Sequence, residues 1–463
     1  MDTTTKPTTR RGWVLGVTSV ASLMVALDLL VVSTALNTIR VDLGTSTELL
    51  QWTVTAYGLT FAALLMTGAA LGDRFGRRRV VILGLAVFAA ASASCALAPS
   101  IGWLIGARAV QGAGAALVMP LAVALLSAAF PAADRGRALG IFEGRTGLAT
   151  IAGPPVGGVV AQMFGWEWIF WINVPIALVT IVLVRSRIDE SHGPDAALDL
   201  RGLVLVTAGA IGLVWGLVNG NALGWSSPAV LVPLAAGVAL LIAFVRWENR
   251  SPAPMLPLRL FRSRAFTAGT LASFLVFGAL YGTVFFLGQF LQSGLGHSPM
   301  EAGIRLIPWT ACLLVVAPLA GSIADRLGDR PVLVAGLALD AVGYAVIAFV
   351  ASTTSSYGWL LLGLIVNGVG ASMTIPVIQN VVMKAVDDGL LSKAAGANST
   401  TQEVGGVFGV AVLVAVFTAV GSFASPALVV DGVVVALASC AALAALAFVA
   451  VLFVPKAAQN ASA

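Results

Sequence analysis

Apolar residues in this chain neither alternate, as on a half-buried strand, nor recur at every third or fourth position, as on an amphipathic helix. They run on in blocks of about 20, the length that carries an α-helix across a hydrocarbon layer of about 30 Å. Such blocks fall at about 13–37, 48–72, 79–98, 101–129, 136–163, 168–186, 202–220, 228–247, 266–290, 301–323, 331–352, 357–383, 394–420 and 428–454. Short polar segments separate them. The pattern predicts an all-α membrane protein with fourteen transmembrane helices.

Composition supports lipid as the main solvent. The 463 residues are 59% hydrophobic and 10% charged, whereas a soluble domain carries about 25% charged residues. Mean hydropathy is +0.97. The 50 glycines and 20 prolines would weaken helices in water. Inside a bundle they are tolerated, because small residues let helices approach and freed backbone groups find partners. The net charge of +5 is spread over short loops without a basic stripe or interleaved aromatics, so nucleic acid is not an expected partner. Membrane lipid is. Cys95, Cys312 and Cys440 lie in apolar blocks without metal-ligand spacing and read as packing residues. No metal and no cofactor are expected. Residues 1–12 are polar, with Lys6, Arg10 and Arg11. The apolar run after them is too long for the core of a signal peptide and reads as a first span that stays in place.

Charge parity orients the spans. Of the 26 Lys and Arg, Arg40 alone falls in a loop that parity places outside, and Arg108, Arg145 and Arg305 fall within spans. All the others lie on the side of the N-terminus. By the positive-inside rule both termini are cytoplasmic in a cell-membrane protein, and a miscounted span would have inverted the signs after it.

The chain also repeats itself. Ala69-Ala70-Leu71-Gly72-Asp73-Arg74-Phe75-Gly76-Arg77-Arg78 follows span 2, and Gly321-Ser322-Ile323-Ala324-Asp325-Arg326-Leu327-Gly328-Asp329-Arg330 follows span 10. Asp73 and Asp325 are 252 positions apart. Gln111-Gly112-Ala113-Gly114 with Pro120, and Asn367-Gly368-Val369-Gly370 with Pro376, are 256 apart. Two landmarks at nearly one offset imply duplicated halves, the usual build of secondary transporters. The expected organisation is a six-helix bundle in 1–190, two inserted helices in 191–250, and a cytoplasmic linker with a second six-helix bundle in 251–463.

With these motifs the sequence resembles the major facilitator superfamily, and within it the fourteen-span drug:proton antiporters, over essentially its whole length. Asp73-Arg74-Phe75-Gly76-Arg77-Arg78-Arg79 looks like the family signature between spans 2 and 3, although Ala69 replaces the usual leading glycine. The resemblance implies a conformational latch formed by Asp73, Arg74, Gly76, Arg77 and Arg78, repeated at Asp325 and Arg326. Arg108-Ala109-Val110-Gln111-Gly112 matches the span 4 motif whose arginine is tied to proton transfer. Gly147 to Gly158, with Gly153, Pro154, Gly157 and Gly158, resembles the span 5 motif that marks antiporters, with Ala149 where glycine is usual. The fold implied is two six-helix bundles plus two inserted helices, working by alternating access.

Charges inside spans are the candidate chemistry, since each costs about 2.5–3.5 kcal/mol on insertion scales and so faces a partner or water. Asp28 lies roughly 22 Å in from the cytoplasmic side at ~1.5 Å per residue. Arg108 enters from the other side to a similar level, so the two are expected to be close, with protonation of Asp28 competing with substrate. After Asp28 the family pattern is lost: Ser33 stands where asparagine is common and Asn37 where proline is. Glu143, Arg145 and Glu403 are further proton-coupling candidates. Glu143 and Arg145, two residues apart, point in different directions and need separate partners or water. Asp340, in a helix that the repeat makes peripheral, reads as a structural contact. Asp28, Trp52, Tyr57, Gln111, Met119, Asn367 and Gln379 are candidate liners of an apolar, aromatic substrate cavity.

The four lysines, Lys6, Lys384, Lys393 and Lys456, sit in no GxxxxGK, which argues against an ATP-driven pump. The protein is not expected to be an enzyme. The expected activity is proton-driven export of amphipathic drugs, antibiotics or related small molecules by a monomer. Proton-coupled uptake of a metabolite, or a non-transporting receptor or scaffold on the same fold, remain as alternatives. The topology has a direct check. In a background lacking the three native cysteines, an impermeant maleimide should label Gly44→Cys and Gly296→Cys on intact cells, and Ser251→Cys only after lysis. The reverse pattern would invert the assignment.

Overall fold

The computed structural model describes residues 8–193, 199–252, 254, 256, 258–353, 357–386 and 391–455. Among them there is no β-strand. Fifteen α-helices carry the described chain: α1 (Thr8–Asp42), α2 (Thr47–Phe75), α3 (Arg77–Ala96), α4 (Ile101–Ala129), α5 (Ala132–Met163), α6 (Glu167–Trp171), α7 (Asn173–Arg187), α8 (Leu200–Leu223), α9 (Pro228–Glu248), α10 (Arg264–Gln289), α11 (Pro299–Leu327), α12 (Asp329–Thr353), α13 (Tyr357–Lys384), α14 (Leu391–Val420) and α15 (Pro426–Val451). α6 and α7, joined at Ile172, make one span over Glu167–Arg187. Among the described residues thirteen stretches are long and apolar enough to cross a membrane. α5, with 32 residues, is the fourteenth helix of spanning length.

Several helices run past their apolar blocks. α1 begins at Thr8, so Arg10 and Arg11 are helical rather than part of a polar tail. The segment expected as a loop after span 2 is almost wholly helix. Asp73 and Arg74 end α2, Arg77 to Arg79 begin α3, and Gly76 alone separates them. Gly76 has φ +103, and Gly328, between α11 and α12, has φ +89. Only a residue without Cβ adopts that backbone freely, so each turn is made by one glycine at the repeat distance.

The chain divides into two compact units, Met1–Val204 and Leu205–Ala463. In the first, α4 packs on α2 and α3, α5 on α1, and α7 on α3. In the second, α13 packs on α11 and α12, α14 on α10, and α15 on α12. Each pairing in one unit has its counterpart in the other, so the two-landmark repeat extends to helix packing. Close approaches coincide as well. A Cβ built on Gly112 would overlap the carbonyl oxygen of Tyr57, and one on Gly368 would lie 2.6 Å from that of Trp309. Small residues let backbones touch there, which is how helices associate where lipid supplies no hydrophobic drive.

These contacts give a stability prediction. Gly112→Ala should lower the thermal unfolding midpoint in detergent, since overpacking costs about 1–3 kcal/mol. Gly106→Ala, on the same helix but with nothing within 4 Å of a built Cβ, should leave it unchanged. Equal midpoints for the two variants would contradict the packing described.

Candidate functional site

Asp28 on α1 and Arg108 on α4 meet in the first unit. Arg108 Nη1 donates to Asp28 Oδ2 at 2.5 Å, and both side chains are fully enclosed. Arg108 does not reach an interface, as a snorkelling arginine would. Its position is set on three further sides. Nε donates to the Thr53 carbonyl at 3.1 Å, and Nη1 also donates to Gln111 Oε1 at 2.7 Å. The guanidinium lies 4.2 Å from the Tyr57 ring centroid and 5.8 Å from that of Phe170. Stacking on aromatic faces stabilises a desolvated guanidinium.

Asp28 is held as an acceptor by three amide or guanidinium donors. Besides Arg108, Gln111 Nε2 donates to Oδ1 at 2.9 Å and Asn173 Nδ2 donates to Oδ1 at 2.7 Å. Gln111 Nε2 reaches Ser92 Oγ at 2.7 Å. Gln111 therefore spends both ends of its amide on the pair, one on the arginine and one on the aspartate. Five helices meet at this network, α1, α2, α3, α4 and α7. It is sealed by the aromatic Tyr57 and by Phe170 of α6.

Asn173, Ser92, Thr53 and Phe170 were not among the residues singled out by sequence. Asn173 had a signal: it is the polar residue of the apolar run Trp171-Ile172-Asn173-Val174-Pro175. Thr53 had none, because it contributes only its backbone carbonyl.

The span 5 motif lies beside the pair. A Cβ on Gly153 would come 2.8 Å from Leu30 Cβ, and one on Gly157 2.7 Å from the Val31 carbonyl oxygen. These two glycines seat α5 on the turn of α1 that follows Asp28, and Gly158 beside them is buried as well. The side chains of Glu143, Pro154 and Asp325 lie outside the described residues. Arg145 and Arg326 are exposed.

The Asp73 segment is organised by a partner the sequence reading missed. Arg77 Nε donates to Asp73 Oδ1 at 2.8 Å. Glu190, just past α7, accepts from the backbone nitrogens of Arg78 at 2.8 Å and Arg79 at 3.3 Å. A carboxylate there complements the positive end of α3. Arg77 N donates to the Ser191 carbonyl at 2.9 Å and Gly193 N to that of Asp73 at 3.2 Å. Arg78 Nη1 adds a bond to the Ile188 carbonyl at 3.2 Å, and Arg74 lies over the Phe75 ring at 5.4 Å.

In the second unit, Glu403 on α14 is partly buried and accepts from Tyr281 Oη of α10 at 3.2 Å. Asn367 is fully buried: it accepts from Trp309 Nε1 at 2.7 Å and donates to Asp340 Oδ1 at 2.7 Å. Asp340 on α12 is thus a fully buried partner of the amide that the repeat aligns with Gln111. Of the other cavity candidates, Tyr57 is enclosed, Trp52 and Met119 are half-buried, and Gln379 is exposed.

The family model described as Major Facilitator Superfamily matches residues 18–410 and again residues 270–462. This chain belongs to the Major Facilitator Superfamily. Its relatives in that superfamily include the multidrug resistance protein Stp of Mycobacterium tuberculosis, 35% identical over 87% of this chain and 75% of that protein. The tetracenomycin C resistance and export protein of Streptomyces glaucescens is 35% identical over 85% and 74%. The multidrug efflux pump LfrA of Mycolicibacterium smegmatis is 35% identical over 90% and 82%. Solved superfamily structures share the fold. A POT family transporter aligns with TM-score 0.70 at 17% identity, over 95% of this chain and 94% of that one. A D-xylose-proton symporter aligns with TM-score 0.67 at 16% identity, over 96% and 98%. Like other members, this is a multi-pass membrane transporter.

The network sets an order of sensitivities. Asp28→Ala strands a buried guanidinium and should destabilise the protein by about 3–5 kcal/mol. Asn173→Ala removes one of three donors and should cost about 1–3 kcal/mol. Thermal unfolding of the purified variants checks the order, and a larger loss for Asn173→Ala would contradict the arrangement.

Proposed function

We propose that this transporter is a proton-driven antiporter exporting amphipathic drugs, antibiotics or related small molecules across the cytoplasmic membrane by alternating access. The Asp28–Arg108 pair, sealed inside one unit, carries this reading. The resistance and export proteins among the relatives support its outward direction and its substrate class.

The coupling step follows from the partners of Asp28. Every side chain facing its carboxyl is a donor, an arrangement complementary to a carboxylate. A proton arriving at Oδ2 displaces the Arg108 hydrogen bond. Arg108 keeps Gln111 Oε1 and the Thr53 carbonyl as acceptors, so it is not left bare. Its charge then lacks a counter-ion in a low-dielectric site, which favours rearrangement around α1 and α4. Release of the proton restores the pair. Proton and substrate thereby bias the same helices in opposite senses, which is the requirement for exchange.

In this reading Glu403, Glu143 and Arg145 are secondary proton-coupling groups. Trp52, Met119 and Gln379 offer surface to substrate, while Tyr57, Gln111 and Asn367 act through the groups they hold. The turn segments at Asp73–Arg78 and Asp325–Arg326, with Gly153, Pro154, Gly157 and Gly158, form the conformational switch. Residues 1–190 and 251–463 supply the two six-helix bundles and 191–250 the inserted pair. The chain works as a monomer with both termini in the cytoplasm.

Dye accumulation in an efflux-deficient host tests the proposal. Expression should lower accumulation of a cationic or amphipathic dye, and a protonophore should restore it. Asp28→Asn, at matched protein level, should accumulate dye like the host without the transporter, and Asp28→Glu should retain partial export. Normal export by Asp28→Asn would remove the proton-carrying role. A broad panel of dyes and antibiotics unaffected by expression would remove drug export.

A further inference from the structure

An open groove runs along the first unit between α1 and α7. It has a volume of about 530 Å³. Gly16, Val17 and Val20 form one wall, and Pro175, Val179 and Leu183 the other. Thr180, also in the lining, gives its hydroxyl to the Ile176 carbonyl at 2.6 Å, so the wall presents no unmet polar group. Gly16 sets the width, since a Cβ built there would have nothing within 4 Å. From Trp13 to Val20 the groove extends about 10 Å along α1 at ~1.5 Å per residue.

The mouth is chemically distinct. Trp13 is 40% exposed, and the Arg187 guanidinium lies over its ring at 4.9 Å. Arg187 lies one turn beyond Leu183 on the groove-lining face of α7, whereas Arg185, two residues earlier, projects from the opposite face. An indole with a cation beside it is the arrangement found at headgroup level, and charge parity places this end at the cytoplasmic leaflet. An apolar slot long enough for the upper half of an acyl chain, with an arginine at its rim, is complementary to an anionic amphiphile. Cationic amphiphiles are repelled by the same rim.

We propose that this groove is a binding site for an anionic phospholipid of the inner leaflet, with one acyl chain entering along Gly16 and the phosphate at Arg187. The site has a route to the transport machinery. α1 carries Asp28, and α7 carries Asn173, which donates to Asp28 at 2.7 Å. Pro175 in the groove wall is two residues from Asn173. A chain seated between α1 and α7 therefore holds the spacing on which that hydrogen bond depends.

Native mass spectrometry of the full-length protein, exchanged into mixtures of dioleoyl phosphatidylglycerol and dioleoyl phosphatidylcholine, tests this without any transport assay. One phosphatidylglycerol per monomer should be retained in preference to phosphatidylcholine. Arg187→Gln should weaken retention roughly five-fold, from the attraction of a basic residue to an anionic headgroup. Gly16→Leu, which fills open space and should leave the unfolding midpoint of the lipid-free protein unchanged, should abolish selective retention. Equal retention of the two lipids, or unchanged selectivity in both variants, would overturn the proposal. So would a stable dimer in which Gly16→Cys cross-links copy to copy, because a second chain would then fill the groove.

Discussion

An arginine and an aspartate enclosed together in a bundle of membrane helices constrain everything around them. Neither charge is tolerable alone in that environment, so each helix that touches the pair must supply something specific. α2 gives a carbonyl and an aromatic face, α3 a hydroxyl, and α4 an amide beside the arginine itself. The span made by α6 and α7 contributes a second amide, from Asn173. The small residues of α5 then press against α1 one turn beyond the aspartate. The packing of the first unit is in this sense arranged about a single electrostatic debt, which is why the proposed proton coupling is placed at this pair.

The second unit repeats the scaffold without repeating the chemistry. Gln111 and Asn367 occupy matching places, each followed by a glycine that meets the backbone of an aromatic residue, Tyr57 or Trp309. In one unit the amide bridges opposite charges. In the other it joins an indole to a lone carboxyl, Asp340, with Glu403 and its tyrosine on a different helix pair. Duplication preserved the backbone contacts, because a glycine that allows two carbonyls to approach cannot easily be replaced. Side chains at the node were free to diverge.

Much of this was legible in the sequence. Blocks of apolar residues gave fourteen spans, and the repeat of the Asp-Arg-x-Gly turns anticipated matching helix packing. A charge in a span demands a partner, and opposite entry directions put Asp28 and Arg108 at one level. The limits are as instructive. Asn173 belongs to the site because its face of the span packs towards Asp28, 145 positions away in the chain, and which polar residue of a span meets which partner is decided by packing. Thr53 acts through its carbonyl, which any residue would supply. Glu190 caps α3 from 112 positions away in the chain, a contact that only the tertiary path creates. Gln111 and Asn367 were read as cavity liners because polar side chains in apolar spans suggest ligands; in the fold their hydrogen bonds are taken up by protein groups.

The turns at Gly76 and Gly328 have a mechanical consequence. A connection of several residues stores slack, and a helix on one side can tilt while its neighbour stays still. A single-residue joint has none. α2 and α3, like α11 and α12, are bent rods with a common corner, and torque applied to one arm reaches the other without delay. Glu190 clamps that corner in the first unit by gripping the opening turn of α3. Whatever rotates α2 during transport must therefore also lift the segment of chain that leaves α7, so this edge of the first unit behaves as one stiff frame rather than as a set of independent helix ends.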